Sequence, residues 1–313
     1  LDASGKPRSA ISSTTGFINP SATSFWSTGS NFWVNQPIGT PPSASDSPDG
    51  DIVEKGGAAQ RLRIANAVSQ AARKVLTCIG CSSTAVDLSA GASTSFDTGN
   101  ASITQALLTG TTSSVDRNNL INWIRGVDNI SPSDEKGPGG TTTVRPSIHG
   151  DVLHSRPAVV NYGGTTGVVV FYGANDGMLH AVKGNQSASD GGDELWSFVP
   201  EEMFGKLNRL RSNTPDIRLS TTPPAAVAAP RDYFVDGPVT VYRKVVGGVV
   251  TKVIIYVGMR RGGRQLYAFD VTNPAAPLFL WKKTNASTGM SLLGQTWSAP
   301  KVAKIKGNAN PVV

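Results

Sequence analysis

A chain of 313 residues with 39% hydrophobic residues has material for a large core, and its 34 glycines and 7% aromatic content suit a loop-rich β protein. No run of about 18 apolar residues occurs, which excludes a membrane-spanning helix read from sequence. The formal charge of +7 is unevenly placed: residues 1–147 carry 11 basic and 11 acidic side chains, residues 148–313 carry 18 and 11, so the whole excess lies in the second half.

Such an excess favours acidic partners. No aromatic-interleaved basic groove or nucleic-acid motif accompanies it, so nucleic acid is not an expected partner. No basic-then-apolar leader follows Leu1, and any export signal is expected outside these residues.

Residues 1–50 are rich in Ser, Thr, Pro, Gly and Asn, yet carry Phe17, Phe25, Trp26, Phe32 and Trp33. A purely disordered linker carries fewer aromatics. Irregular, partly ordered segments anchored through Trp26 and Trp33 are expected. Asp46, Asp49, Asp51 and Glu54 follow, but their spacing does not fit a calcium loop with Glu at its twelfth position, and an acidic turn ahead of a helix is the reading.

Gly57 to Leu76 places Leu62, Ala65, Val68, Ala72, Val75 and Leu76 at helical spacing, predicting an amphipathic helix that turns into strand near Lys74. Cys78 and Cys81 are the two cysteines. With no second pair a four-ligand zinc site is disfavoured, and with loop-like Ser82-Ser83-Thr84 after them a thioredoxin-type motif is too. A small disulfide closing a turn is expected, in keeping with an oxidising compartment.

Ser82–Gly99 reads as loop and Ala101–Leu108 as a short helix. Ser114 is expected to cap a second helix through Arg125, with Gly126 as its stop. The Pro/Gly/Ser/Asp-rich stretch from Ile130 to Thr143 reads as a linker. It divides an irregular segment, 1–143, from a β-rich part, 144–313.

The second part repeats. Pro157-Ala-Val-Val, Val168–Gly173, Met178–Val182 and Leu195-Trp196 are matched by Pro238-Val-Thr-Val, Val253–Gly258, Leu266–Asp270 and Leu280-Trp281. Gly173 to Trp196 and Gly258 to Trp281 are both steps of 23 residues. Each copy reads as four short strands, the size of a β-propeller blade. A third copy starts at Ser298, and since blades close a ring of at least about four, further blades are expected beyond Val313.

Between the copies, residues 200–211 begin with Pro and two acids and end in basic residues, which predicts a dipole-matched helix. A Pro-rich loop, 214–232, follows it. Basic clusters stand at Arg209/Arg211/Arg218, Arg260/Arg261/Arg264, Lys282/Lys283 and Lys301/Lys304/Lys306.

His149, His154 and His180 do not show metal-ligand spacing with a third acidic partner, and the first two read as hydrogen-bonding residues at the start of a strand. Asn175-Asp176-Gly177 reads as turn chemistry with positive φ angles. Gly173 and Gly258, each ending a Val-rich strand, are expected where backbones approach closely. Gly262-Gly263 reads as a turn, not a phosphate loop.

Leu266–Asp270 with Trp281 is similar to the blade motif of pyrroloquinoline-quinone dehydrogenases, in which the Trp docks one blade on the next. Taken alone, that motif leaves a quinone-dependent dehydrogenase open. Longer strings point elsewhere: SPDGDIVEKGGAAQRLR (47–63), LINWIRG (120–126), RPSIHGDVLHSRPAVV (145–160), VVVFYGANDGMLHAV (168–182), ELWSFVPEEMF (194–204) and YVGMRRGGRQLYAFDVTNP (256–274). Together, and in this order, they resemble the PilC/PilY family of type IV pilus biogenesis factors and tip adhesins.

The resemblance implies a quinoprotein-like propeller without enzymatic activity, incomplete in this chain. It implies an exported protein at the pilus tip or outer-membrane surface, with a periplasmic pool. Its partners would be minor pilins and a host or abiotic surface ligand. Its roles would be pilus assembly, opposition to retraction, twitching and adhesion. Some members hold calcium in an Asp-rich loop; none is found here, so no cofactor is expected in this chain and calcium only beyond Val313. Arg260, Arg261, Arg264, Arg209 and Arg211 are the expected partner contacts. A cell-surface adhesin unrelated to pili is a further reading.

Overall fold

The computed structural model describes residues 10–30, 45–130, 143–186, 189–215, 217, 229–308 and 312–313. In chain order the elements are helix α1 (Gly57–Ala65), strands β1 (Val75–Leu76) and β2 (Val86–Asp87), helix α2 (Ser114–Arg125), strands β3 (Ala158–Asn161), β4 (Val168–Gly173), β5 (Leu179–Lys183) and β6 (Glu194–Phe198), helix α3 (Phe204–Ser212), and strands β7 (Val239–Val246), β8 (Val249–Gly258), β9 (Gln265–Asp270) and β10 (Leu278–Thr284).

β3 to β6 form one antiparallel meander and β7 to β10 another, each built from the Val-, Ile- and aromatic-rich runs of one repeat copy. These are two propeller blades. Each gains a fifth strand from the first half of the chain. β1 pairs parallel with β6, and β2 pairs antiparallel with β10. The stretch from Val75 to Asp87 is therefore a strap across the outer edges of both blades.

The strap is fastened along its length. Thr77 Oγ1 donates to Val199 O at 2.8 Å, Gly80 N donates to the Glu201 carboxylate at 2.6 Å, and Lys282 N donates to Ser82 O at 2.8 Å. Midway, Cys78 and Cys81 form the expected disulfide.

The blades meet through aromatic rings. Phe198 of β6 stands edge-on to Phe269 and Tyr267 of β9, at 4.9 and 5.9 Å between centroids. The indole N–H of the fully buried Trp196 donates to Pro274 O at 2.7 Å, so this Trp docks one blade on the next. Trp281, its repeat counterpart, lies beside Tyr256 of its own blade. Burying rings of this size is worth roughly 1.5 to 3 kcal/mol apiece, and one apolar core runs through both sheets and onto α2 and α3.

α2 follows expectation in extent, with a shift at its start. Ser113, not Ser114, is the cap, accepting from Asp116 N at 3.1 Å, while the Asp116 carboxylate accepts from Thr112 N at 2.9 Å. Gly126 ends it at φ 112°, where a side chain would be strained. Leu120, Ile121 and Ile124 are buried as expected.

The helix expected over 57–76 stops at Ala65. Asn66 bonds back through its side chain to Leu62 O, and Gln70 Nε2 bonds Asn66 O, so polar side chains take over the carbonyls that a longer helix would need. Ala65, Val68 and Ala72 are exposed as a result, while Val75 and Leu76 enter the sheet, close to the expected change at Lys74. Ala101–Leu108 forms turns, not a helix. The Arg117 guanidinium takes the carbonyls of Ile103, Thr98 and Asn100 instead.

The insertion helix begins with a 3-10 turn, Glu201–Met203, and runs as α3 to Ser212. Trp26 is anchored by its N–H to Asn185 O at 2.9 Å. Trp33, Arg218, residues 131–142 of the expected linker, and residues 216 and 218–228 of the Pro-rich loop lie outside the described residues.

Candidate functional site

Antiparallel pairing puts the start of β7 beside the end of β8, with Val239 opposite Val257. The residues just before β7 and the β8–β9 loop therefore share one end of the second blade. The β4–β5 loop joins them: the carbonyl of Val235 crowds Gly173, where a Cβ would lie 2.0 Å from it. This is the close backbone approach expected at Gly173. Gly258 has Thr296 O as its neighbour, 3.1 Å from where a Cβ would stand.

On this loop face the structure assembles a ladder of cations and rings. The Arg231 guanidinium lies 5.6 Å from the centroid of Tyr233. Arg261 lies between two rings, 5.1 Å from Tyr233 and 5.6 Å from Trp297, and donates to the Tyr233 hydroxyl at 3.1 Å. Arg260 lies 4.8 Å over Trp297. Cation–π contacts of this kind contribute about 0.5 to 1 kcal/mol each at exposed sites.

The loop beneath is held firmly. Met259 N donates to Thr296 Oγ1 at 2.7 Å, and Lys206 Nζ of α3 donates to Tyr233 O and Gly262 O at 3.0 and 2.9 Å. Burial lowers the pKa of Lys206 against the opposing pull of Asp232. Arg260 has φ of +50°, a left-handed backbone that is rare for a side chain of its size.

The five arginines expected as contacts divide into two groups. Arg260 and Arg261 are in the ladder, and Arg264 is exposed on the same loop. Arg209 and Arg211 face inward. Arg209 donates to Pro215 O, Pro230 O, Ala229 O and the Asp232 carboxylate, which braces the loop that carries Arg231 and Tyr233. Arg211 pairs with Asp116, which ties α3 to α2.

A second constellation lies beneath, inside the first blade. His180 of β5 is fully buried between two carboxylates, with Nε2 3.0 Å from Asp176 and Nδ1 2.8 Å from Glu194. Glu194 also receives Arg73 Nε at 2.8 Å. Burial pulls the His180 pKa down, but the two carboxylates outweigh it and lift it to about 9. Burial pushes Glu194 up, yet Arg73 and His180 hold it at about 2, and Asp176 is held well below the carboxylate range in the same way by His180.

His149 stacks on His180 at 4.9 Å. Burial and the charge of His180 lower its pKa to about 4. Neutral His149 contacts Gly150 O through Nδ1 and the Tyr172 hydroxyl through Nε2, at 2.7 and 2.8 Å. His154 pairs with the buried Asp236 at 2.8 Å. His149 and His154 are thus the hydrogen-bonding residues expected.

Asn175-Asp176-Gly177 is more than turn chemistry. Only Gly177 has positive φ, +100°. Asn175 accepts from Phe234 N at 3.1 Å, joining the two blades, and Asp176 is the counter-ion of His180. Sequence reasoning missed this cluster. The available signal was a histidine set among apolar residues of a strand, with an acid four residues before it.

Among the described residues no group of three or more His, Cys, Asp and Glu side chains is arranged to hold a metal. Asp46 pairs with Arg63 and receives Gly56 N at 3.0 Å, and Asp49 accepts from Ser24, so these acids organise the turn ahead of α1. Two clefts of about 440 and 520 Å³ lie on either side of His149. The smaller is mainly apolar, with Ile52, Val53, Val152 and Val170 in its wall; the larger holds Trp123, Arg145 and Arg231.

Comparison with known proteins adds to this geometry. A family model described as the PilY1 beta-propeller domain matches residues 154–312. A type IV pilus biogenesis factor PilY1 homolog of Xylella fastidiosa is 30% identical over 210 residues, covering 59% of this chain and 15% of the relative. The type IV pilus biogenesis factor PilY1 of Pseudomonas aeruginosa strain UCBPP-PA14 is 28% identical over 238 residues, covering 65% and 19%. The chain thus spans less than a fifth of the length of these curated relatives. The crystal structure of the Pseudomonas aeruginosa PilY1 C-terminal domain is 29% identical, covers 45% of this chain and 23% of that one, and superposes with a TM-score of 0.30.

Proposed function

This chain belongs to the PilY1 β-propeller family, and on that premise we propose that it is a non-catalytic, tip-associated module of a type IV pilus. In this reading it promotes pilus assembly, opposes retraction and supports surface adhesion, and it makes its contacts through minor pilins. The observation that carries the reading is the family match over 154–312, which includes both blades and the loop face.

Export to the pilus tip or outer-membrane surface, with a periplasmic pool, agrees with the Cys78–Cys81 disulfide, since such bonds persist in oxidising compartments. No helix among the described residues is long and apolar enough to cross a membrane. Residues 144–313 form the blades in this reading, and residues 1–143 are the segment that wraps them. Arg260, Arg261 and Arg264 make the partner contact. Arg209 and Arg211 support it from within.

The test is mass spectrometry on pili sheared from cells, with an antibody to this chain on intact filaments. The expected result is the protein in the sheared fraction, labelled at one filament end. Finding it only in soluble periplasm, with filaments unlabelled, overturns the proposal.

A further inference from the structure

We propose that the arginine–aromatic ladder of the loop face is a receptor for a carboxylate-rich segment of a partner protein. The inference deepens the pilus reading and rests on it only for which protein supplies that segment.

Three observations carry it. First, the loop face has unspent cations. Among the described residues Arg260, Arg261 and Arg264 have no carboxylate partner, while Arg61, Arg73, Arg209, Arg211 and Arg231 each have one. They are part of the excess of basic over acidic residues in 148–313, 18 against 11.

Second, the two repeat copies use the same loop in opposite ways. After Gly173 the first blade carries Asn175 and Asp176, whose polar atoms go to Phe234 N, His180 and Gly150 N within the fold. After Gly258 the second blade carries Arg260 and Arg261, directed onto rings. Arg260 also keeps a positive φ and a buried Nε without a hydrogen-bond partner. Both features are unfavourable taken alone. The Trp297 contact and the bonds of Met259 N and Arg260 N to Thr296 offset them and hold the loop so that Arg261 and Arg264 face solvent.

Third, the geometry selects the chemistry. Arg231 and Arg261 cover Tyr233, and Arg260 and Arg261 cover Trp297. The rings are occupied by guanidinium groups, so they are poor platforms for stacking a sugar. Planar guanidinium edges held in place by rings suit bidentate carboxylate recognition, at less cost in side-chain ordering than free lysines. Successive Asp or Glu side chains of a polypeptide fit such a row.

The experiment uses the 313-residue chain and a fluorescein-labelled peptide of about ten glutamates, followed by anisotropy at several salt concentrations. A matched glutamine peptide, oligogalacturonate and phosphatidylglycerol vesicles are the comparison probes. The expected result is binding of the glutamate peptide that weakens with salt and falls about tenfold or more in R260A/R261A. R261K, which keeps the charge and loses the planar fork, is expected to weaken binding severalfold. K301A/K304A/K306A should stay within about twofold of the parent.

Because Arg260 is strained, R260G is the folding control: it should melt no lower than the parent and still bind weakly. Unchanged affinity in R260A/R261A overturns the proposal. So does tighter, ladder-dependent binding of oligogalacturonate or vesicles, which would assign the surface to sugar or lipid. Failure here with the protein still present on sheared pili sinks the ladder alone. Peptide binding with the protein absent from pili sinks the pilus reading alone.

Discussion

His180 and Glu194, on neighbouring strands of the first blade, meet at 2.8 Å between Nδ1 and Oε1, with the imidazole fully buried. With Asp176 on the other ring nitrogen, His180 keeps its proton in the fold up to about pH 9. Its folded pKa is raised, so its contribution to stability is complete below about 6.5, the unfolded value, and is lost as pH rises through about 9. His149 behaves oppositely. Its folded pKa is lowered to about 4, so the unfolded chain takes up the proton first and stability declines as pH falls from about 6.5 to about 4. Urea unfolding should therefore be most difficult near pH 6.5, with limbs of up to about 1.4 kcal/mol per pH unit for each group. H180N should flatten the alkaline limb. A parent curve that keeps rising from pH 6.5 to 9 contradicts the assignment.

Trp196 is expected to be the most sensitive aromatic at the blade junction. Trp196→Ala removes a fully buried indole and should cost about 3 to 5 kcal/mol. Trp196→Phe keeps a ring but loses the bond to Pro274 O, and should cost about 1 to 2 kcal/mol. Chemical denaturation of both variants checks the order; equal losses would show that a ring kept at this position contributes nothing once the bond to Pro274 O is gone.

Gly173→Ala should destabilise by about 1 to 3 kcal/mol or more, because its Cβ would meet the Val235 carbonyl at 2.0 Å. The clash pushes apart the β4–β5 loop and the residues before β7. A variant that melts with the parent would mean that the loops separate without cost.

Cys78→Ser with Cys81→Ser should lower global stability by at most about 2 kcal/mol, since so short a loop constrains the unfolded chain little. Its larger effect should be local. Amide exchange is expected to quicken at Val75, Leu76, Val86 and Asp87 while β4 and β8 stay protected. Uniform acceleration across both sheets would refute a local role.

The repeat was legible because its Gly and Trp positions recur at one spacing, and two four-stranded meanders follow it closely. A change to strand near Lys74 was expected and β1 follows it, but β2 and the pairing of both fifth strands were not legible. Val75–Leu76 and Val86–Asp87 are two residues long, too short for any periodicity, and their partners come from the other half of the chain. α1 shows a different limit: Ala65, Val68 and Ala72 keep helical spacing, but side-chain bonds from Asn66 and Gln70 end the helix before that spacing matters.

The site divides in the same way. Arg260, Arg261 and Arg264 were visible as a basic cluster. Tyr233 and Trp297, which fix two of them, are contributed by other loops. Arg209 and Arg211 looked alike in sequence and serve the interior. His180 was visible as a polar residue in an apolar strand, but pairing it with Glu194 required the register of β5 on β6.

The strap also sets an order of events. Thr77 and its acceptor at Val199 are 122 residues apart, and the partner of β2 is later still. During synthesis from the N-terminus, the residues around Cys78 emerge well before either sheet that receives them. The disulfide, closed between neighbours, needs neither sheet in order to form, whereas the edge pairing waits for β6 and then β10. The β1 half of the strap can close once β6 exists, whereas the β2 half must wait for β10, and until then the outer strand of the second blade stands as an open edge.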